Sequence, residues 1–465
     1  MQGNKETTGK RRKLTLFRVV VLSLLIAGCA FSIYRLRLHS KLNTRIEAIR
    51  AAGHPLTWAE LDKWYAIPEG ADNSADAILN ALSHCQEWER QELKRLPLGG
   101  GRIGLPSRKE PLTAETISLM SEYLDDNREA LFMLHEALTE IEHCRYPVDF
   151  SAGIDVQMSH LTGLHQGARL LLLEAVLHAE NDQTELAVQA VISNLKIAGS
   201  LANEPDLGSQ FSQRVCWWRA VLSVERVVNR NDLTDEQLTR LSAALADAEQ
   251  HTNVLPALVG ERCLVLAALG MSTAQLRATD FFCGDPDESP LSVHLRAAAY
   301  TLRKFVGLMD KKAILYLDVA NDCIESLKLP LEHRRAAAEA IEKRLGSESR
   351  DALLLGVIRR FPRVIAEFDI FACLRTARVA LAIQRYRLAN GRLPDTLGDL
   401  VPAYLDAVPS DPFDGEQLRY KKLEVGFVVY SIGEDQDDDG GLERRPAGQK
   451  ARRSYECDIT FIVER

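Results

Sequence analysis

The sequence predicts a mainly α-helical protein with a transmembrane helix at its N-terminus, an irregular array of α-hairpins and a small C-terminal α+β module. Three observations support this fold class. The apolar residues are mostly Leu and Ala, which favour helix over strand. Amphipathic patterns of about twenty residues recur between short polar turns. After Gly391, prolines and short alternating apolar segments replace the helical pattern.

Length and composition limit the possible classes of protein. A chain of 465 residues is too long for one hydrophobic core, so we expect two or three domains. The formal net charge of −8 argues against a nucleic-acid partner, because such proteins usually carry a basic surface. The nine cysteines are scattered without a Cys-x-x-Cys pair. We therefore expect neither a disulfide framework nor a zinc site.

The N-terminus has the pattern of a membrane anchor. Residues 1–13 are polar and end in Lys-Arg-Arg-Lys, and residues 14–34 are apolar apart from Arg18 and a few small polar residues. Twenty-one helical residues rise about 31 Å, enough to cross a bilayer. The basic cluster favours a cytoplasmic tail over 1–13, although Arg35, Arg37 and Lys41 weaken that bias. We predict a single-pass signal anchor in a bacterial cytoplasmic membrane.

Two alternatives to an uncleaved anchor remain open. Residues 26–29 (Ile-Ala-Gly-Cys) have the pattern of a lipoprotein signal, with Cys29 as the acylated residue. The apolar run continues to Tyr34, which a lipoprotein does not require. A cleaved secretory signal is the other alternative. All three place the chain from residue 40 onward outside the cytoplasm.

Residues 35–360 are predicted to be an extracytoplasmic helical region. Capping boxes begin at Thr57 and Thr234, and the clearest hairpin joins 170–179 to 184–202 through a polar turn. No fixed repeat period occurs. The predicted helices cover about 43–52, 58–66, 74–95, 113–143, 157–180, 184–203, 209–229, 235–250, 253–269, 291–328, 331–345 and 350–360.

No catalytic signature stands out in this region. The Gly-rich stretch 97–104 lacks the Gly-Lys-Ser/Thr ending of a phosphate loop, and we interpret it as a flexible loop. Ser193 and Lys196 match a Ser-x-x-Lys pattern, but the chain has no Lys-Thr-Gly. His160 and His165 are expected to be surface or satisfied core histidines. The sequence therefore predicts a protein that is not an enzyme.

Two aromatic stretches are weaker candidates for binding. Trp217 and Trp218 point about 100° apart on a helix, so at least one should pack in a helix interface. The turn 281–287 (Phe-Phe-Cys-Gly-Asp-Pro-Asp) interrupts the helical pattern and is a candidate ligand edge. Residues 46–61 and 146–205 also resemble an uncharacterised family of membrane-anchored proteins of planctomycete-like bacteria. That resemblance implies a location and no activity.

Residues 361–465 are predicted to form the C-terminal module. An amphipathic helix should run from about Pro362 to Leu388 and end at Asn390-Gly391, a favourable C-cap. Strand patterns follow at 418–421, 426–431 and 459–463. One helix on a small antiparallel sheet is the expected architecture.

This module resembles the C-terminal domain of the major pseudopilin of type II secretion systems. The similar segments are 386–394 (Tyr-Arg-Leu-Ala-Asn-Gly-Arg-Leu-Pro), 411–415 (Asp-Pro-Phe-Asp-Gly), and 430–441 with Asp458-Ile459. A pseudopilin also has a Gly-Phe-Thr-Leu-x-Glu processing site at its membrane helix, which this chain lacks, and here about 330 residues separate anchor from module. The resemblance implies a domain borrowed by a larger protein.

The loop after the second strand has the pattern of a calcium site. Asp435, Asp437 and Asp439 alternate along the chain and Gly440 follows, which suits an ion that prefers six to eight hard oxygens. The resemblance implies that Asp458 is a further ligand. The alternative is an acidic turn neutralised by Arg444, Arg445, Arg452 and Arg453. The sequence predicts structural Ca²⁺ and no catalytic residues.

Three functions remain open from the sequence. The first is a membrane-tethered binding or scaffold protein with a protein partner in the cell envelope and a calcium-stabilised module. The second is a component of a type II secretion or pilus-like system. The third is an envelope hydrolase whose active site the sequence does not reveal.

Overall fold

The computed structural model describes residues 3–97, 105–272, 275, 290–348, 368–443 and 457–465. These residues form a mainly helical protein with one three-stranded antiparallel sheet, which confirms the predicted fold class. Several predictions lie outside the described residues: the Gly-rich loop from 98 to 104, the turn 281–287, the helix 350–360, the start of the helix near Pro362, and Arg444, Arg445, Arg452 and Arg453.

The helices are α1 (Gly3–Ala51), α2 (Trp58–Trp64), α3 (Ser74–Ser83), α4 (Arg90–Leu93), α5 (Ala114–Asp126), α6 (Arg128–Ala137), α7 (His160–Glu180), α8 (Thr184–Gly199), α9 (Leu207–Arg230), α10 (Asp235–Gln250), α11 (Leu255–Gly270), α12 (Pro290–Phe305), α13 (Leu308–Ser326), α14 (Leu331–Glu348) and α15 (Asp369–Asn390). Short 3-10 helices span Phe150–Asp155 and Leu397–Leu400. The strands are β1 (Arg419–Lys422), β2 (Phe427–Ser431) and β3 (Ile459–Val463).

The chain forms two compact units. The first comprises residues 1–60, 153–155 and 262–320, and the second comprises 61–152, 156–261 and 321–465. The described residues of the predicted C-terminal module, from 368 onward, belong to the second unit together with residues 61–152 and 156–261.

In the first unit, α1 is one continuous helix, whereas the sequence had suggested separate helices over 14–34 and 43–52. No Gly or Pro lies between Tyr34 and Lys41 to interrupt it. Its segment Leu16–Ala51 is long and apolar enough to cross a membrane, and none of its most apolar stretch is buried. The segment Asp235–Gly270 also passes this test of length and composition, but nearly half of its most apolar stretch is buried in protein.

Glycine and asparagine divide two of the predicted long helices. The predicted helix 291–328 is two helices, because Gly307 adopts a φ of +83° between α12 and α13. The predicted helix 113–143 is divided at Asn127, whose amide side chain hydrogen-bonds the backbone of Tyr123 and Gln86. Both predicted capping boxes are confirmed: Thr57 with Glu60, and Thr234 with Gln237.

The core of the second unit is built on α7, α8 and α9, which pack against one another. The predicted hairpin of α7 and α8 is confirmed, and Asp182 turns the chain between them with a φ of +55°. Consecutive Leu and Ala residues of α7 are buried, as a helix surrounded by protein requires. This central layer also contacts α3, α5, α6 and α10.

The C-terminal helix and sheet confirm the predicted order of elements. Helix α15 ends at Gly391, which adopts a left-handed φ of +68°, and the strand order is β1-β2-β3 with antiparallel pairing. All five residues of β2 are buried. Helix α15 packs on β2 and β3 and also on α9 and α10, so the sheet and the helical array share one core.

Candidate calcium loop and buried polar clusters

The acidic loop connects β2 to β3, and Asp411 fixes its start. The Asp411 side chain is fully buried. It accepts hydrogen bonds from the Ser431 hydroxyl at 2.8 Å, the Ile432 amide at 3.0 Å and the Arg419 guanidinium at 2.7 Å. The Asp-Pro-Phe-Asp-Gly turn is therefore a structural support for the loop.

Asp458 holds the other end of the loop. Its Oδ2 accepts hydrogen bonds from the Gly441 amide at 2.7 Å and the Leu442 amide at 3.3 Å. Its Oδ1 is buried and has no hydrogen-bond partner among the described residues. Burial raises the pKa of Asp458, because the charged carboxylate loses solvation there. A buried, partly unsatisfied carboxylate oxygen is a suitable ligand for a hard cation.

The three aspartates of the alternating pattern lie between these two ends. Asp435, Asp437 and Asp439 are exposed, and an Asp435 oxygen accepts a hydrogen bond from the Asp437 amide at 3.3 Å. Gln436 adopts a left-handed φ of +61°, so the loop is tightly curled. Within the described residues, no three Asp, Glu, His or Cys side chains are gathered closely enough to hold a metal ion.

Among the described residues, Arg419 and Arg335 approach the loop. Arg419 Nε lies 3.9 Å from an Asp438 oxygen, and Arg335 donates a hydrogen bond to the Glu434 carbonyl at 2.7 Å. These contacts offset part of the negative charge. The structure thus brings Asp458 to the loop and leaves the alternating aspartates at its surface. Their carboxylate oxygens are of the type that Ca²⁺ prefers, but in the described residues they are not gathered around one point.

A second polar cluster is buried within the helical array. His160 Nε2 and Glu204 Oε2 are 2.9 Å apart, and both side chains are almost completely buried. The His160 ring stacks on Tyr146 with 4.5 Å between centroids. The other Glu204 oxygen, Oε1, and the Tyr65 hydroxyl are buried without a hydrogen-bond partner in the described part of the chain. His160 is thus a core histidine, as the sequence had indicated.

A cavity of about 250 Å³ lies beside this cluster, with Tyr65, His143, Cys144 and Asn203 among its lining residues. Burial raises the pKa of the Cys144 thiol to about 12 and also raises that of the Tyr65 hydroxyl. Both groups therefore stay protonated at neutral pH. This is the opposite of an activated nucleophile, which needs a lowered pKa.

A third cluster joins Ser193 to His135, which lies 58 residues away in the chain. His135 Nδ1 lies 2.8 Å from Ser193 Oγ, and His135 Nε2 lies 2.8 Å from Glu174 Oε2. The order Ser–His–Glu is that of a hydrolase triad. However, Ser193 is only 1% exposed. It lies within α8, where the backbone amides donate to carbonyls of the same helix and so do not serve as donors to an oxyanion. The geometry indicates a polar contact that joins α6, α7 and α8.

The tryptophan pair has one buried and one exposed member. Trp217 is fully buried and its indole nitrogen donates to the Leu195 carbonyl at 3.3 Å, which confirms the expected helix interface. Trp218 is 49% exposed. It borders a small cavity of about 170 Å³ with Phe211 and Arg214.

The first unit contains a larger cavity of about 550 Å³. Its wall is mainly apolar and includes Leu42 and Ile46 of α1 together with Trp58 and Leu266. Lys304 lies at this cavity and donates hydrogen bonds to the carbonyls of Gly270 and Met271, at the end of α11.

No family model, no curated protein and no solved structure matches this chain. The resemblance of residues 386–459 to the major pseudopilin, and that of the helical region to an uncharacterised family, therefore stay predictions.

Proposed function

We propose that this protein is a membrane-anchored extracytoplasmic binding or scaffold protein whose C-terminal module is stabilised by calcium. The observation that carries the calcium proposal is the buried Asp458 oxygen Oδ1, which has no partner among the described residues while Oδ2 holds the end of the acidic loop. The ligands are Asp458 with Asp435, Asp437 and Asp439. The ion orders the loop and thereby stabilises β3.

The anchor is the apolar part of α1, residues 14–34, with a cytoplasmic tail over 1–13 and the bulk of the chain outside the cytoplasmic membrane. The length and exposure of the helix from Leu16 onward support this assignment. A lipoprotein acylated at Cys29 is the alternative. Mass spectrometry of the membrane-extracted protein separates them, because an uncleaved anchor retains Met1 and a lipoprotein begins at an acylated Cys29.

Calcium binding is tested by thermal unfolding of the full chain in detergent, with calcium and then with chelator. A ligand that binds only the folded state at a hundred times its dissociation constant adds about 2.7 kcal/mol. We expect a melting temperature several degrees higher with calcium. Asp437→Ala combined with Asp439→Ala should abolish the rise, and so should Asp458→Asn, which keeps an oxygen acceptor for Gly441 but removes the charge.

Magnesium at the same concentration is the ionic control, because it demands a smaller octahedral site. Glu424→Gln is the matched protein control, since Glu424 is an exposed carboxylate in the turn between β1 and β2. An equal melting temperature in calcium and chelator would contradict the calcium proposal. The loop would then be an acidic turn balanced by Arg419 and its neighbours.

The partner proposed for the helical array is another protein of the cell envelope, and nucleic acid is not proposed. Membership of a type II secretion or pilus-like system is the first alternative, supported only by the resemblance of the module. Mild crosslinking in the native membrane followed by mass spectrometry tests both. Recovery of secretion-system subunits favours the alternative.

An envelope hydrolase is the second alternative, and the Ser193–His135–Glu174 order is the observation in its favour. A fluorophosphonate probe forms a covalent bond with an activated serine hydroxyl. We expect no labelling of the full chain, because Ser193 is buried in a helix interface. Labelling that Ser193→Ala abolishes would establish the hydrolase.

A further inference from the structure

We propose that the tip formed by the end of α12 and the start of α13, residues 302–312, is a second membrane-contact element that enters the outer leaflet beside the anchor. This inference rests on the anchor of the proposed function. All the residues involved belong to the first unit. They form an exposed apolar face next to the end of the apolar stretch of α1.

The tip contacts α1 at the level where the predicted span ends. The ring centroids of Phe305 and Phe31 are 5.4 Å apart, and Phe31 belongs to the apolar stretch 14–34. The Lys311 ammonium lies 5.6 Å from the centroid of Tyr34, the last residue of that stretch. Because a helix rises about 1.5 Å per residue, Phe31 lies about 4.5 Å along α1 from Tyr34. Phe305 therefore reaches the boundary between acyl chains and headgroups.

Two further contacts hold the tip at this level. Arg35 Nη1 and Asp310 Oδ2 form an ion pair at 2.7 Å, one residue beyond the apolar stretch. Gly307 has a φ of +83°, and a Cβ there would overlap the Arg35 guanidinium and lie 2.8 Å from Leu38. The close approach of the tip to α1 thus depends on a glycine at this position.

The tip carries the residues that suit a bilayer surface. Leu302, Phe305 and Leu308 are 61%, 67% and 41% exposed. Exposure of these apolar side chains to water costs free energy, which is recovered when they enter an apolar phase. Arg303 and Lys304 lie between Leu302 and Phe305 in the sequence, and Lys311 and Lys312 follow Leu308. Apolar residues flanked by Lys and Arg are typical of segments that lie in the headgroup region and bind anionic lipids. The occupant of this face is therefore an anionic lipid bilayer.

The test uses tryptophan fluorescence of the full chain in lipid nanodiscs whose phosphatidylcholine carries brominated acyl chains, with or without phosphatidylglycerol. The reporter is Phe305→Trp, Leu25→Trp marks the span, and Ala51→Trp marks α1 about 25 Å beyond Tyr34. The five native tryptophans are common to all samples, so each variant is read as a difference from the parent.

In nanodiscs that contain phosphatidylglycerol, we expect the added emission of Phe305→Trp to be quenched nearly as strongly as that of Leu25→Trp, and that of Ala51→Trp to be unquenched. Quenching of Leu25→Trp without quenching of Phe305→Trp would overturn the inference and leave the anchor intact. An unquenched Leu25→Trp would overturn both. An unquenched Phe305→Trp with two chains in each nanodisc would assign the exposed face to a second copy and overturn the inference.

The charge requirement is tested in the same samples. Phosphatidylglycerol should increase quenching of Phe305→Trp by about twofold at low salt, and Arg303→Glu with Lys311→Glu should remove that increase. Equal quenching with and without phosphatidylglycerol would overturn the preference for anionic lipid. Glu339→Lys with Glu342→Lys, on α14 of the second unit, changes the net charge by the same four units in the opposite sense. This control should leave the lipid dependence unchanged.

Discussion

Asn229 on α9 hydrogen-bonds a carbonyl of the last strand, β3, and the amide of Glu464, the residue that follows this strand. Its Nδ2 donates to the Ile462 carbonyl at 2.8 Å, and its Oδ1 accepts from the Glu464 amide at 2.8 Å. Glu225 accepts from the Ile462 amide at 2.8 Å. The outer edge of β3 is therefore satisfied by side chains of a helix. An unpaired strand edge would otherwise be open to other chains.

Asn229→Ala should destabilise the second unit by about 2–4 kcal/mol, because the Ile462 carbonyl and the Glu464 amide lose their partners at once. Urea unfolding followed by circular dichroism measures this change. Asn80→Ala, at an exposed position of α3, is the control and should stay within about 0.5 kcal/mol of the parent. An equal effect of the two substitutions would show that the helix does not support the strand edge.

Glu180→Gln should lower the free energy of unfolding by about 3–5 kcal/mol, since it leaves the buried Arg226 charge without its partner. Arg226 Nη2 lies 2.6 Å from Glu180 Oε1, and the two side chains are 3% and 2% exposed. The matched control is Glu185→Gln, which breaks an ion pair with Arg240. The Glu185 side chain is 59% exposed and the Arg240 side chain is 36% exposed. That loss should be below about 1 kcal/mol. Similar losses measured by urea unfolding would contradict this ranking.

Gly426→Ala and Gly391→Ala both place a side chain at a left-handed backbone position, at φ of +83° and +68°. The strain of that conformation alone costs roughly 1–2 kcal/mol. A Cβ at Gly391 meets nothing within 4 Å, whereas a Cβ at Gly426 overlaps the Val463 carbonyl oxygen. The Gly426 variant should therefore lose at least roughly twice as much stability as the Gly391 variant. Equal melting temperatures would contradict the close approach of β3 to this turn.

The contact between His178 and Glu174 should make the stability of the folded protein depend on pH. The Glu174 carboxylate, 3.9 Å from His178 Nε2, raises the pKa of His178 above its ordinary 6.5. Protonated His178 therefore stabilises the folded state. This stabilisation is complete below pH 6.5 and is lost as the pH rises through the raised pKa of His178. Burial raises the pKa of Glu174, but the hydrogen bond with His135 and the nearby His178 ring outweigh it, so the pKa lies below its ordinary 4.5. The Glu174 contribution is present above pH 4.5 and lost as pH falls through the lowered value.

We therefore expect the melting temperature to be higher at about pH 5.5 than at about pH 8, with part of the difference due to this pair. His178→Gln should reduce the difference between the two pH values. His251→Gln removes an exposed histidine near Asp247 and is the control. If both variants keep the full difference, the pair does not contribute to it.

Much of the fold could be predicted because it depends on neighbours in the chain. The helix of the C-terminal module was expected to end at Asn390-Gly391, and α15 ends there because Gly391 adopts a left-handed φ. The three strand patterns agree with β1, β2 and β3 to within one residue at each end. Local spacing was insufficient at Gly307, since a helical pattern continues on both sides of the glycine.

The candidate sites could be predicted only in part. The alternating aspartates are visible in the sequence because the ligand pattern is local. Glu204 and Tyr65 could not be found this way, because His160 lies 44 residues from Glu204 and no motif has that spacing. The Ser193–His135 contact spans 58 residues and joins two patterns that are unremarkable alone.

The sequence by itself determined the apolar N-terminal helix, the helical class of most of the chain, the three strands and the acidic loop, because periodicity, caps and turn residues act over a few positions. The tertiary structure decided that Asp458 closes the acidic loop at Gly441, that Asn229 satisfies the edge of β3, and that Phe305 meets Phe31 beside the span. These contacts join residues 17, 233 and 274 positions apart. They depend on how whole helices and strands bury their apolar faces together, which no local pattern specifies.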